Sequence, residues 1–166
     1  NLPVSIIRPF NTYGPRQSAR AIIPTIISQI LNNIKNIKLG STNPTRDFTY
    51  IDDTVNGFTS FINCKNTIGK TINIGSNFET SILDVVQIVS DIVGTKISVI
   101  TDNKRIRPKK SEVNQLLADN SVAKQILNWH PKFYGAKGLK KGLKYTIEWM
   151  SKEENIMKYK SGIYNI

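Results

Sequence analysis

Arg8-Pro9-Phe10-Asn11-Thr12-Tyr13-Gly14-Pro15-Arg16-Gln17 comes directly after an apolar run at residues 4–7. The run predicts a buried strand, and residues 8–17 predict a turn-rich loop carrying an amide, a phenol and two guanidinium groups. In α/β proteins, ligands gather at the ends of strands, on loops of this kind. The chain opens Asn-Leu-Pro-Val on an element already of buried type, so the expectation is the C-terminal part of a larger fold.

Working outward, strand and helix signals alternate, which predicts an α/β chain with parallel pairing. Residues 22–34 carry Ile23, Ile26, Ile27, Ile30, Leu31 and Ile34 at helical spacing, with Pro24 tolerable in the first turn. Residues 37–39 read as a short strand ending at Gly40, and residues 48–51 as another. Asp52 or Asp53 is expected to cap a helix through Asn63 that buries Val55, Phe58 and Ile62. A strand at 71–74 leads to Ser81 and Asp84, a capping-box start for a helix with an inner face of Ile82, Val85, Val86, Val89, Ile92 and Val93, stopped by Gly94. Further on come a strand at 97–100, a basic loop at 101–110 and an extended piece at 113–117. Asp119 should cap the next helix, and the last helix, near 138–150, should bury Leu139, Leu143, Ile147 and Met150. Residues 1–150 are expected to form one domain and 151–166 a partly mobile tail.

With 166 residues, 39% of them hydrophobic, the chain can build a real core. No stretch reaches the roughly 20 apolar residues of a membrane span, and no charged-then-apolar leader sits at the start of the sequence, so a soluble cytoplasmic protein without membrane association is expected. Cys64, the only cysteine, reads as a small buried thiol. A net charge of +11 raises a nucleic-acid reading. The lysines at 137–144 and 152–160 read instead as solvated faces, and nucleic acid is not the expected partner. His130 has no metal-binding companion at ligand spacing, and no metal site is expected.

Three segments present polar groups at element boundaries: 8–17, 45–53 and 105–112. Asn11, Arg46 and Arg107 could converge on a diphosphate through amide and charge-assisted hydrogen bonds.

Six motifs in order carry a resemblance: Arg8 to Arg16; Ile22-Ile23-Pro24; Lys38-Leu39-Gly40 with Arg46-Asp47-Phe48-Thr49-Tyr50-Ile51-Asp52-Asp53; Ile72-Asn73-Ile74-Gly75; Arg107-Pro108 through Lys124; and Trp129-His130-Pro131. Together they resemble the extended short-chain dehydrogenase/reductase family, and within it the NAD-dependent nucleotide-sugar 4,6-dehydratases and epimerases, including UDP-N-acetylhexosamine dehydratases of bacterial surface-polysaccharide pathways. The resemblance implies the last strands of a Rossmann-like parallel sheet plus a small mixed α/β substrate-binding lobe. By position, it implies that the backbone of Pro9 and Phe10 lies by the nicotinamide of NAD. Asn11 would take a phosphate, Ile23, Pro24, Lys38 and Leu39 would border the base, and Arg46 and Arg107 would hold the diphosphate or its ribose. Tyr13, Arg16 and Arg20 would line the same region. A homodimer is implied for the whole enzyme.

The chain has no glycine-rich dinucleotide fingerprint and no Tyr-x-x-x-Lys pair. No catalytic residue is therefore expected here, and the chain alone is expected to be inactive. The alternatives are a 4-epimerase, which would share this half, or a non-catalytic basic binding module.

Overall fold

A computed structural model describes residues 2–108 and 110–159. Its strands and α-helices are, in order, β1 (Ile6–Pro9), β2 (Asn11–Tyr13), α1 (Ile22–Leu31), β3 (Asn36–Leu39), β4 (Thr45–Tyr50), α2 (Ile51–Asn63), β5 (Thr71–Ile74), β6 (Glu79–Ser81), α3 (Ile82–Val93), β7 (Ser98–Thr101), β8 (Gln115–Leu116), α4 (Ser121–Leu127), α5 (Gly135–Met150) and α6 (Glu153–Ile156). The fold is α/β, and every strand pair with a defined register is parallel. The chain divides into two compact units.

The first unit takes residues 1–13, 46–79 and 116–142. Its parallel pairs are β1 with β5, from Ile6↔Thr71 to Pro9↔Ile74, and β2 with β4, in register Asn11↔Phe48. Parallel strands covered by helices are apolar on their hidden faces. Ile72 and Ile74, both 0% exposed, accordingly pack with Ala123 and Trp129, flanked by Ile7, Phe61, Val122 and Ile126. Each such side chain contributes about 1.5–3 kcal/mol by leaving water.

The second unit takes residues 14–45, 80–115 and 143–166, of which 109 and 160–166 lie outside the described residues. Here β3 pairs with β7 in parallel, and α1 lies against α3 and β3. The α1 isoleucines Ile23, Ile26, Ile27 and Ile30 are all buried, as their spacing predicts. At the start of α3, Ser81 Oγ accepts from Asp84 N at 3.0 Å while the Asp84 carboxylate accepts from Ser81 N, which completes the capping box. Gly94 ends α3 at φ +74°, a left-handed conformation that glycine adopts without penalty.

Several expectations are corrected. The first strand runs two residues later than residues 4–7, and Asn11 lies in a strand rather than in a turn. In α2 the buried residues are Asp53, Thr54 and Gly57, whereas Val55 is 55% and Ile62 77% exposed. The cause is the approach of β5: a Cβ on Gly57 would sit 2.8 Å from Ile74 Cγ2, so the small-residue face of α2 is the one that fits. Tyr50, not Asp52 or Asp53, occupies the N-cap of α2, and Asn120, not Asp119, that of α4. Cys64 is only half-buried, its Sγ 3.5 Å from Ile126 O. Residues 153–156 form α6, and Tyr159, 8% exposed, donates from its hydroxyl to Gln17 O at 2.8 Å; neither fact decides whether residues 151–166 move. The rest of the expected mobile tail, 160–166, lies outside the described residues.

Candidate functional site

In the first unit, the carboxyl ends of β1 and β5 lie side by side at Pro9 and Ile74, and the backbone N–H of Phe10 donates to Ile74 O at 2.9 Å. Ligands of parallel α/β sheets bind at this end of the strands. Directly beyond β5 sits Gly75. A Cβ there would overlap the methyl of Ala118 and would come within 3.1 Å of Asp47 Oδ2 and 3.3 Å of Phe10 Cγ. Only a bare backbone lets these four residues meet.

Asp47 organises this corner. It is 0% exposed. Its Oδ1 accepts from Ser76 N at 2.8 Å, Ser76 Oγ at 2.6 Å and Thr49 Oγ1 at 3.4 Å. Oδ2 accepts from Asn77 N at 2.9 Å and Ala118 N at 3.2 Å. A buried carboxylate is tolerated when its lone pairs are met by donors in this way. Asn120 adds a bond from Nδ2 to Gly75 O at 2.8 Å. Asn11 joins through Nδ2, which donates to the backbone O of Asp47 at 3.0 Å, and Arg46, half-buried, is the neighbouring residue on β4. In the first unit Pro9 thus closes β1, Phe10 follows it, Asn11 opens β2 and Arg46 stands near the start of β4.

A second polar anchor in this unit is Asp53, 2% exposed. Its two oxygens accept from Lys132 N and Phe133 N, each at 2.8 Å, and its backbone O accepts from Trp129 Nε1 at 3.2 Å. Burial pushes its carboxyl above the usual range. Tyr13 is 1% exposed and donates from its hydroxyl to Leu139 O at 3.2 Å; burial, with Tyr50 and Asp53 nearby, raises its pKa. Tyr13 and Asp53 therefore belong to the packing of α2 and α5 and not to a ligand surface.

In the second unit, the Gln29 side chain clamps α1 to β3. Oε1 accepts from Lys38 N at 2.8 Å and Nε2 donates to Lys38 O at 3.2 Å. This fixes Lys38, whose side chain is exposed, and Leu39, which is 1% exposed, relative to Ile23 and Pro24 in the buried first turn of α1. The N–H of Asp102 donates to Leu39 O at 2.7 Å, and Gly40 passes against the backbone O of Arg105. The Asp102 carboxylate accepts from Lys104 N at 3.1 Å and Arg105 Nε at 3.2 Å, which together hold its pKa down. This turn leads into Arg107, which is exposed. The second unit thus brings Ile23, Pro24, Lys38, Leu39 and the approach to Arg107 into one lobe.

Arg16, at φ +67°, is exposed and borders a cleft of about 530 Å³ with Gln17, Trp149, Asn155, Lys158 and Tyr159. Arg20 and His130 are exposed as well. Among the described residues, no group of three or more His, Cys, Asp and Glu side chains could hold a metal ion, and no helix is long and apolar enough to cross a membrane. Amides, guanidinium groups and strand ends are binding chemistry, with no acid–base pair among them. Sequence reasoning assigned Asp47 no role. Its signal was present: an aspartate inside a strand flanked by Arg46 and Phe48 must have donors to be stable there.

Residues 1–142 match the family model described as GDP-mannose 4,6 dehydratase. An uncharacterised UDP-glucose epimerase of Bacillus subtilis is 36% identical over 150 residues, 90% of this chain and 45% of that protein. Two crystal structures resemble the fold. UDP-glucuronic acid 4-epimerase of Bacillus cereus, in complex with UDP-glucuronic acid and NAD, is 32% identical with a TM-score of 0.78, covering 90% of this chain and 45% of that one. The dTDP-glucose 4,6-dehydratase of Bacillus anthracis, in complex with NAD, is 25% identical with a TM-score of 0.74, covering 89% of this chain and 44% of that one. The chain spans about half the length of the proteins it matches. With the family model matched over most of its residues and parallel strand ends built as described, the chain belongs to the NAD-dependent nucleotide-sugar epimerase/dehydratase family.

Proposed function

We infer that this chain is the nucleotide-sugar-binding half of an NAD-dependent 4,6-dehydratase acting on a UDP-N-acetylhexosamine or a related substrate, in bacterial surface-polysaccharide biosynthesis. The observation that supports the reading is the Asp47 network, which ties Asn11 to the corner just beyond β5, with Arg46 the preceding residue on β4. Asn11 binds a phosphate oxygen, and Arg46 and Arg107 hold the diphosphate or its ribose. Ile23, Pro24, Lys38 and Leu39 border the base. A planar guanidinium matches two phosphate oxygens at once, which suits Arg to this task better than Lys.

The strand end at Pro9 and Phe10 offers backbone to the edge of a nicotinamide, while nothing in the sequence supplies a glycine-rich turn for the dinucleotide's own phosphates. The residues fit a minor share of a cofactor site, and NAD, when bound, supplies a hydride acceptor and donor. The role of this chain's residues is to bind and orient the sugar nucleotide, which converts an encounter of two ligands into a positioned pair. The chain by itself is inactive for want of Tyr-x-x-x-Lys; the whole enzyme is a cytoplasmic lyase and a homodimer.

A 4-epimerase is the equal alternative, since relatives with that name match as well as the dehydratases do. Calorimetric titration with UDP- and dTDP-sugars tests the binding role. Saturable binding that Arg46→Ala and Arg107→Ala each weaken by roughly tenfold or more supports it. Binding that neither change affects would refute the assignment of roles, and an NADH signal from the purified chain would refute its inactivity. The rival basic binding module predicts association with arbitrary DNA and a steep salt slope.

A further inference from the structure

Helix α5 carries a face that the sugar-nucleotide reading does not use. Lys137, Lys140, Lys141 and Lys144 recur at three- and four-residue spacing, and at 100° per residue they fall within a roughly 100° arc of the helix. All four are exposed. Tyr134, 60% exposed just ahead of the helix, and Tyr145, 40% exposed on it, widen the arc to roughly 140°. Glu148 is the single acid in the helix, with its Oε1 3.9 Å from Lys144 Nζ, and Lys141 Nζ lies 5.4 Å from the centre of the Phe133 ring. The opposite arc holds Leu139, Leu143, Ile147 and Met150, all buried.

We propose that this lysine face of α5 docks the protein onto an anionic lipid surface, with phospholipid headgroups as the ligand. Glu148, the one acid, falls inside the same arc beside Lys144, so the lysines outnumber it and the face as a whole gains from a surface of opposite sign. The arc contains no arginine, whose planar fork serves base and bidentate phosphate recognition, and lysine as a point charge suits a smeared negative potential. Tyrosines beside it match the amphipathic side chains favoured where headgroups meet water. The apolar arc is committed to the fold, so the helix cannot bury itself among acyl chains, and charge supplies most of the attachment. It is therefore lost with salt.

Co-sedimentation of the purified chain with phosphatidylcholine vesicles, with and without phosphatidylglycerol, tests this. Binding is expected only to the anionic vesicles, to vanish in high salt and to weaken by roughly fivefold per lysine replaced. The variant K137Q/K140Q/K141Q/K144Q should lose it. A charge-matched variant at the exposed Lys65, Lys70, Lys96 and Lys104 should retain most of it, and the double variant K137Q/K140Q gives an intermediate value should the quadruple one unfold. Absence of anionic-vesicle binding, equal loss in the two quadruple variants, or stronger binding to an oligonucleotide at matched phosphate concentration would each overturn the proposal.

Discussion

Asn11 Nδ2 donates to the backbone O of Asp47 at 3.0 Å, so the residue assigned to a phosphate is held by the one whose buried carboxylate gathers Ser76, Asn77 and Ala118. Asp47 fixes the strand ends, and the strand ends fix Asn11. Replacing Asp47 by Asn keeps the volume but turns one acceptor into a donor facing backbone N–H groups. The variant is expected to lose about 3 kcal/mol, because a buried charged hydrogen bond is removed and its partners are left unmet. Urea unfolding measures this, and a loss under about 1 kcal/mol would remove Asp47 from its organising role.

Gly75 is the second support of the same corner. Gly75→Ala puts a methyl onto Ala118 and against Asp47. Overpacking of this kind costs about 1–3 kcal/mol, read as a lower midpoint of thermal unfolding. The double variant with Ala118→Gly should recover part of that loss if the Ala118 methyl is the obstacle.

Asp53 gives a pH dependence with a definite sign. Burial raises its folded-state pKa above the unfolded value of 3.8. The folded chain therefore holds this proton more tightly than the unfolded one. The group's contribution to stability is complete below pH 3.8 and falls as pH rises through the folded-state value. Asp102 and Asp119, whose pKa values are lowered by Lys104 N–H and Ser121 N–H respectively, act in the opposite sense. Unfolding measured at several pH values for the parent and for Asp53→Asn isolates the Asp53 contribution: the parent's stability relative to the variant should decline with rising pH across that window. A flat or rising difference would contradict it.

Helix α3 offers a local test. Ser81→Ala removes the hydroxyl that accepts from Asp84 N and should cost about 1 kcal/mol, a typical value for an N-cap. Urea unfolding again reads it, and Ser81→Thr, whose hydroxyl can also donate to the Asp84 carboxylate, should retain most of the stability.

Much of the fold was legible because it is written in periodicity. In α1 the isoleucines 23, 26, 27 and 30 are all inside, and the Ser81–Asp84 box and Gly94 bound α3 as their chemistry requires. Helix α2 was misread because burial there is set by shape: Gly57 admits Ile74 and Asp53 finds two backbone donors, while Val55 and Ile62 stay exposed. Strand β2 is three residues long and pairs with residues more than thirty positions away, with no alternation to announce it. The nine residues assigned by resemblance divide between the two units: Pro9, Phe10, Asn11 and Arg46 in the first, Ile23, Pro24, Lys38, Leu39 and Arg107 in the second. That Asp47 needs donors was legible from its place inside a strand, but not which donors, because Ser76, Asn77 and Ala118 reach it only through long-range contacts.

The most direct test of the binding role is an amide-resolved NMR titration of the chain with UDP-N-acetylglucosamine. Shifts should concentrate at residues 10–12, 46–49 and 75–77 of the first unit and at 38–40 and 105–107 of the second, and Arg46→Ala should weaken the titration by roughly tenfold. Saturable shifts confined to other surfaces, or none at millimolar ligand, would contradict it.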